Sequence, residues 1–181
     1  MADINLPENV LPADGQGPDA AGGMTEGQAL ELIELLFFAY RDFISDPDEI
    51  LRGYGFGRAH HRVVHFVGRN PGIRVSQLLE ILSITKQSLG RVLRELIETG
   101  FVSQEEGMQD RRQRLLSLTE KGEDLARRLA APQIARVRKA LGACGGDAET
   151  LYRDVLFHLI DPEDRANVRR LITKPQAWPF R

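Results

Sequence analysis

Gln87, Arg91 and Arg94 recur at three- and four-residue spacing, and Arg111, Arg112 and Arg114 crowd together further along the chain. Glutamine can hydrogen-bond the adenine edge bidentately and arginine the guanine edge, both in the major groove of a duplex. Clustered guanidinium groups suit phosphates or a narrow A·T-rich minor groove. If residues 85–99 are helical, a rotation of about 100° per residue turns Gln87, Arg91, Arg94 and Glu98 away from an apolar stripe of Leu89, Val92, Leu93, Leu96 and Ile97. Thr85, Lys86 and Ser88 then stand at the positive end of that helix, where a phosphate is favoured. Gly90 costs roughly 1 kcal/mol relative to alanine and leaves room for a close backbone approach. Asp110 would repel phosphate, so its expected role is to pin a neighbouring arginine or cap the turn.

Taken singly, an amphipathic helix and an arginine-bearing loop are ordinary surface features. Their setting is not. Asn70-Pro71-Gly72 marks a turn, and a short helix follows to Leu82, with Ser76 as its expected N-cap and Gln77 beside it. Ser83-Ile84 is a tight link into the helix at Thr85, which Gly100 stops. Residues 101–105 and 114–118 read as two strands around a polar loop that holds the arginines. Short helix, tight turn, second helix and two-stranded ribbon make a winged helix-turn-helix, with Ser76 and Gln77 joining the duplex-facing set.

The flanks are helical. A wide apolar face runs from Thr25 to about Ser45, with Asp46-Pro47 as its expected end. A helix over 58–69 turns Val63, Val64, Phe66 and Val67 inward. A long helix begins at Thr119 and carries Pro132, an expected kink. A further helix starts at Asp147, and another restarts at Asp161-Pro162. The fold class is therefore mainly α with a small β-wing. Residues 1–24 form an expected flexible arm, 25–57 an N-terminal helix and loop, 58–118 the winged helix-turn-helix, and 119–181 C-terminal helices and tail. The wide face of the first helix suits contact with another subunit, and Trp178 and Phe180 suit packing on a partner.

Composition bounds the rest. The 181 residues are 42% hydrophobic and 28% charged, as in a soluble globular protein. One cysteine excludes an intrachain disulfide and suits a reducing cytosol. No run of 18 apolar residues and no signal-like N-terminus is present, so a cytoplasmic location without a membrane is expected. The net charge of −2 is unevenly spread. Residues 1–50 hold 11 acids and one base, whereas residues 51–121 hold 12 bases and 7 acids. Local rather than total charge attracts phosphate.

The run Asp110-x-Arg112-x-x-x-Leu116-x-Leu118-Thr119-x-x-Gly122 resembles the wing signature of the MarR family of bacterial transcriptional regulators. Residues 71–78 resemble that family's entry into the helix-turn-helix, and residues 85–93 its recognition helix, with Gly90 where a polar residue is common. The resemblance implies a homodimer that pairs through N- and C-terminal helices and binds pseudo-palindromic double-stranded DNA. It also implies control by a small anionic or phenolic effector or by cysteine oxidation, and no catalytic activity or cofactor. A winged-helix adaptor that binds protein and does not read DNA is the alternative.

Phe38, Tyr54, His60, His61 and His65 are the candidate walls of an effector pocket. His61 and His65 stand at i and i+4, a spacing that can chelate metal, but further ligands are not evident and no metal site is expected. Histidine titrates near pH 6.5, which admits a pH-sensitive pocket. Cys144 has only Arg138 and Lys139 near it in sequence to lower its pKa.

Overall fold

The computed structural model describes residues 23–107 and 113–173. The N-terminal arm, Asp110, Arg111, Arg112, Trp178 and Phe180 thus lie outside or almost outside the described residues, Gly23 and Met24 being the arm's described end. The chain divides into two compact units, residues 1–39 and 40–181, with the boundary inside the first helix, α1 (Glu26–Arg52). In the first unit α1 is amphipathic yet uncovered: Leu32, Leu35, Leu36, Phe37 and Phe38 are all exposed, Phe37 to 67%.

The second unit holds the rest of α1, then α2 (Arg58–Arg69), β1 (Ile73–Arg74), α3 (Val75–Leu82), α4 (Lys86–Glu98), β2 (Val102–Glu106), β3 (Arg114–Leu118), α5 (Glu120–Cys144), α6 (Ala148–His158) and α7 (Arg165–Thr173). The sheet order is β1-β3-β2 and both pairings are antiparallel. Ile73 lies opposite Leu116, and Val102 opposite Leu118. One core gathers Leu51, Val63, Val64, Val67, Leu78, Leu82, Leu89, Leu96, Leu116, Leu125 and Leu129, all essentially buried. Strand β1 is too short to show alternation, which is why only two strands were legible in sequence.

Three expected boundaries move, each for a structural reason. Helix α1 does not end at Asp46-Pro47 but continues to Arg52, with Pro47 buried inside it. Proline offers no N–H to the Phe43 carbonyl four residues back. Gln133 Nε2 of α5 supplies that donor at 3.3 Å, and Arg136 of α5 pairs with Asp46 at 3.0 Å. Helix α3 is capped by Arg74, not Ser76, because β1 leads straight into Val75 and the Gln77 side chain accepts from the Arg74 N–H at 3.1 Å. Helix α4 itself is framed by Thr85 and Thr99 as its caps. Helix α7 begins at Arg165 rather than Pro162, since residues 162–164 form a turn. Arg165 reaches back to the carbonyls of His158 at 2.7 Å and Ile160 at 2.9 Å, covering the open end of α6. Helix α5 runs on through Pro132.

The turn from β3 into α5 explains the Leu118-Thr119-x-x-Gly122 run. Thr119 Oγ1 accepts from the Gly122 N–H at 3.1 Å, capping α5, and donates to the Gly100 carbonyl at 2.7 Å. The first turn of α5 comes so close to the backbone after α4 that a Cβ on Gly122 would lie 2.0 Å from the Phe101 carbonyl oxygen. Gly122→Ala should destabilise the protein by more than about 2 kcal/mol in denaturant unfolding. Gly142→Ala, where a Cβ meets nothing within 4 Å, should leave stability unchanged or raise it by up to about 1 kcal/mol.

Candidate nucleic-acid interface

Helices α3 and α4 are joined by a tight link in which Ser83 takes φ 49°, a left-handed conformation that closes α3 through its N–H to the Leu79 carbonyl at 3.0 Å. Arg62 of α2 donates to the Leu82 carbonyl at 3.0 Å and holds the same corner from outside. Thr85 Oγ1 accepts from the Ser88 N–H at 3.2 Å, so α4 starts at a defined residue. From there Leu89, Val92, Leu93 and Leu96 are buried, whereas Lys86, Gln87, Ser88, Gly90, Arg91, Arg94 and Glu98 are exposed. The rotation expected from sequence is the one observed. In α3, Ser76 is exposed, while Gln77 is half-buried and engaged with Arg74.

Strands β2 and β3 project as a ribbon, continued past their ends by the Gly107 N–H to the Gln113 carbonyl at 3.0 Å. Glu106 and Arg114 face each other across it and form an ion pair at 2.8 Å, both exposed. Such a pair is worth less than about 1 kcal/mol, so it orients Arg114 more than it stabilises the ribbon. Arg114 therefore reaches the surface with part of its charge offset by Glu106.

Behind α4 lies a layer that sequence reasoning did not assign to its support. His60 is buried and bonds at both ring nitrogens. Its Nδ1 accepts from the Gly57 N–H at 3.1 Å, which leaves the proton on Nε2, facing Glu95 Oε2 of α4 at 2.7 Å. The imidazole stacks on Phe56 with centroids 4.6 Å apart, and Phe56 meets Phe101 edge-on at 5.3 Å. Tyr54 packs edge-on against Phe101 at 5.5 Å and bonds Arg128 of α5 through its hydroxyl. His60 and Tyr54 are thus tied into the framework of α4 and α5. Glu95 and Arg62 carried no signal in sequence beyond their charge, since both contacts span distant segments.

His61 and His65 are half-buried on α2. Burial lowers the pKa of His61, with Asp48 partly opposing the shift. Burial, the neighbouring His61 and Arg69 together push His65 down to about 4. Phe38 belongs to the first unit and is exposed. Among the described residues no three His, Cys, Asp or Glu side chains gather to hold a metal ion. Cys144 is exposed at the end of α5. No described helix is long and apolar enough to cross a membrane.

A buried-stripe helix following a tight turn, flanked by a β-ribbon, defines a winged helix-turn-helix DNA-binding protein. Residues 54–113 match the family model described as MarR family. The chain is 47% identical over 148 residues to the HTH-type transcriptional regulator PetP of Rhodobacter capsulatus, covering 82% of this chain and 89% of that protein. Among solved structures it resembles Streptococcus pneumoniae FabT in complex with DNA, with a TM-score of 0.65 and 22% identity over 72% of this chain and 94% of that one. It also resembles Staphylococcus aureus MarR in complex with salicylate and kanamycin, with a TM-score of 0.60 and 19% identity over 74% and 91% of the two chains. The chain belongs to the MarR family of transcriptional regulators.

The lowered His65 pKa carries a pH prediction. The unfolded chain takes up the proton near pH 6.5, whereas the folded site resists it until about pH 4. His65 should therefore contribute no penalty above pH 6.5, and stability should fall as pH drops from there towards 4, by on the order of 3 kcal/mol. Denaturant unfolding at a series of pH values should show that slope in the wild type and a flatter one in His65→Gln.

Proposed function

We propose that this regulator acts as a homodimer on pseudo-palindromic operator DNA, with Lys86, Gln87, Ser88, Arg91 and Arg94 of each α4 facing a major groove. Thr85 and Ser76 border that face. Arg111, Arg112 and Arg114 of the wing lie along the backbone or minor groove, and Asp110 shapes the wing. The observation that carries this reading is the exposed polar face of α4 directly opposite its buried stripe. Streptococcus pneumoniae FabT, solved in complex with DNA, has the same fold. Two protomers would present their α4 helices to half-sites about one helical turn apart.

Dimerisation through the N- and C-terminal helices is supported by what those helices leave uncovered. Leu35, Phe37 and Phe38 are exposed on α1, and Leu151, Val155 and Leu159 on α6, with Leu151 65% exposed. Exposed apolar faces of this kind mark association surfaces. Control by a small molecule is supported by the likeness to S. aureus MarR, solved in complex with salicylate and kanamycin. Here His61 and His65, half-buried and held neutral near pH 7, are the side chains best suited to meet such an effector.

Arg91→Ala should weaken binding to a selected duplex by about 1–3 kcal/mol and relax base preference at one position per half-site. Arg112→Ala should weaken all sequences alike and flatten the salt dependence by about one unit. Electrophoretic or fluorescence titrations at two salt concentrations check both. Retained affinity after neutralising Arg111, Arg112 and Arg114 together would sink the wing assignment. Sedimentation should show a dimer for the wild type, and a shift towards monomer for Phe37→Glu combined with Leu151→Glu.

A further inference from the structure

Two helical glycines in this chain have opposite explanations. Gly122 is required from within, because any side chain would strike the Phe101 carbonyl. Gly90 is not: it has ordinary helical backbone, and a Cβ built on it meets nothing within 4 Å. Gly27 and Gly142 also face open space, but they stand in the first and last turns of their helices. Gly90 stands in the interior of α4, where glycine weakens a helix relative to alanine. The fold thus bears a cost at Gly90 from which it gains nothing.

Lys86 and Arg94 lie one turn before and one turn after Gly90 on the same stripe, with Gln87 and Arg91 alongside, all exposed. The result is a bare notch between four long polar side chains, running roughly 12 Å along the helix. Its floor is the Gly90 Cα. The backbone N–H and C=O groups there are engaged in the helix, so the floor offers no hydrogen bond. A polar base-edge atom pressed against it would lose water and gain no partner. An apolar group would lose nothing. The apolar projection in the major groove of a duplex is the thymine C5-methyl.

We infer that Gly90 is a specificity-determining residue, its bare notch between Lys86 and Arg94 seating a thymine methyl of the operator against the α4 backbone. This rests on the reading that α4 enters the major groove. The test begins with the full chain selecting duplexes from a randomised library. Wild type and Gly90→Ala are then titrated against a selected duplex, and against versions in which each thymine in turn is replaced by deoxyuridine. Gly90→Ala should melt a few degrees higher than wild type yet bind the selected duplex at least tenfold more weakly, with its salt dependence unchanged. Deoxyuridine at one position per half-site should weaken the wild type several-fold and leave Gly90→Ala indifferent. Equal binding by wild type and Gly90→Ala overturns the inference while leaving the DNA-binding reading intact. So does a wild type insensitive to every deoxyuridine. A wild-type chain that selects no duplex at all overturns both.

Discussion

The burial of Leu89, Val92, Leu93 and Leu96 is the interaction on which the exposed face of α4 depends. These side chains share one core with Val63, Val64 and Val67 of α2 and Leu116 of β3. Each contributes about 1.5–3 kcal/mol when removed from water. The exposed Arg114–Glu106 pair on the wing is worth less than about 1 kcal/mol. The angle at which Gln87, Arg91 and Arg94 leave the surface is therefore decided by apolar packing, and the surface charges inherit it. The His60–Glu95 contact adds a polar tether to the same helix from the buried side.

The helix-turn-helix and ribbon were legible in sequence because their signals are local. Thr85 caps its own helix, the Leu89–Leu96 stripe repeats at helical spacing, and Gly100 takes the left-handed φ of 76° that a helix stop needs. What was not legible depends on segments far apart in the chain. Pro47 is a local stop signal, overruled because Gln133 supplies the donor proline lacks. The partnership of His60 with Glu95 joins α2 to α4 and leaves no periodic trace. The role of Gly122 is visible in sequence only as part of a motif, and its cause, the approach to the Phe101 carbonyl, is purely three-dimensional.

The apolar residues that remain exposed follow the same logic in reverse. On α1 and α6 leucine, valine and phenylalanine also recur at helical spacing, yet α6 has no buried residue at all. Amphipathic pattern is thus satisfied inside the chain around the helix-turn-helix and left open at its ends. Those open faces are what the proposed second protomer would cover.

The corner from α4 to α5 has a mechanical meaning. The Thr99 carbonyl accepts from Lys121 Nζ at 2.9 Å, the Gly100 carbonyl from Thr119 Oγ1, and the Phe101 carbonyl from the Thr119 N–H at 3.1 Å. Three successive carbonyls leaving one helix are thus gripped by the opening residues of the next, and Lys121 also sits 4.2 Å over the Phe101 ring. These three bonds tie the end of α4 to the opening turn of α5 across the base of the ribbon, so a shift of that turn would pull directly on the end of α4.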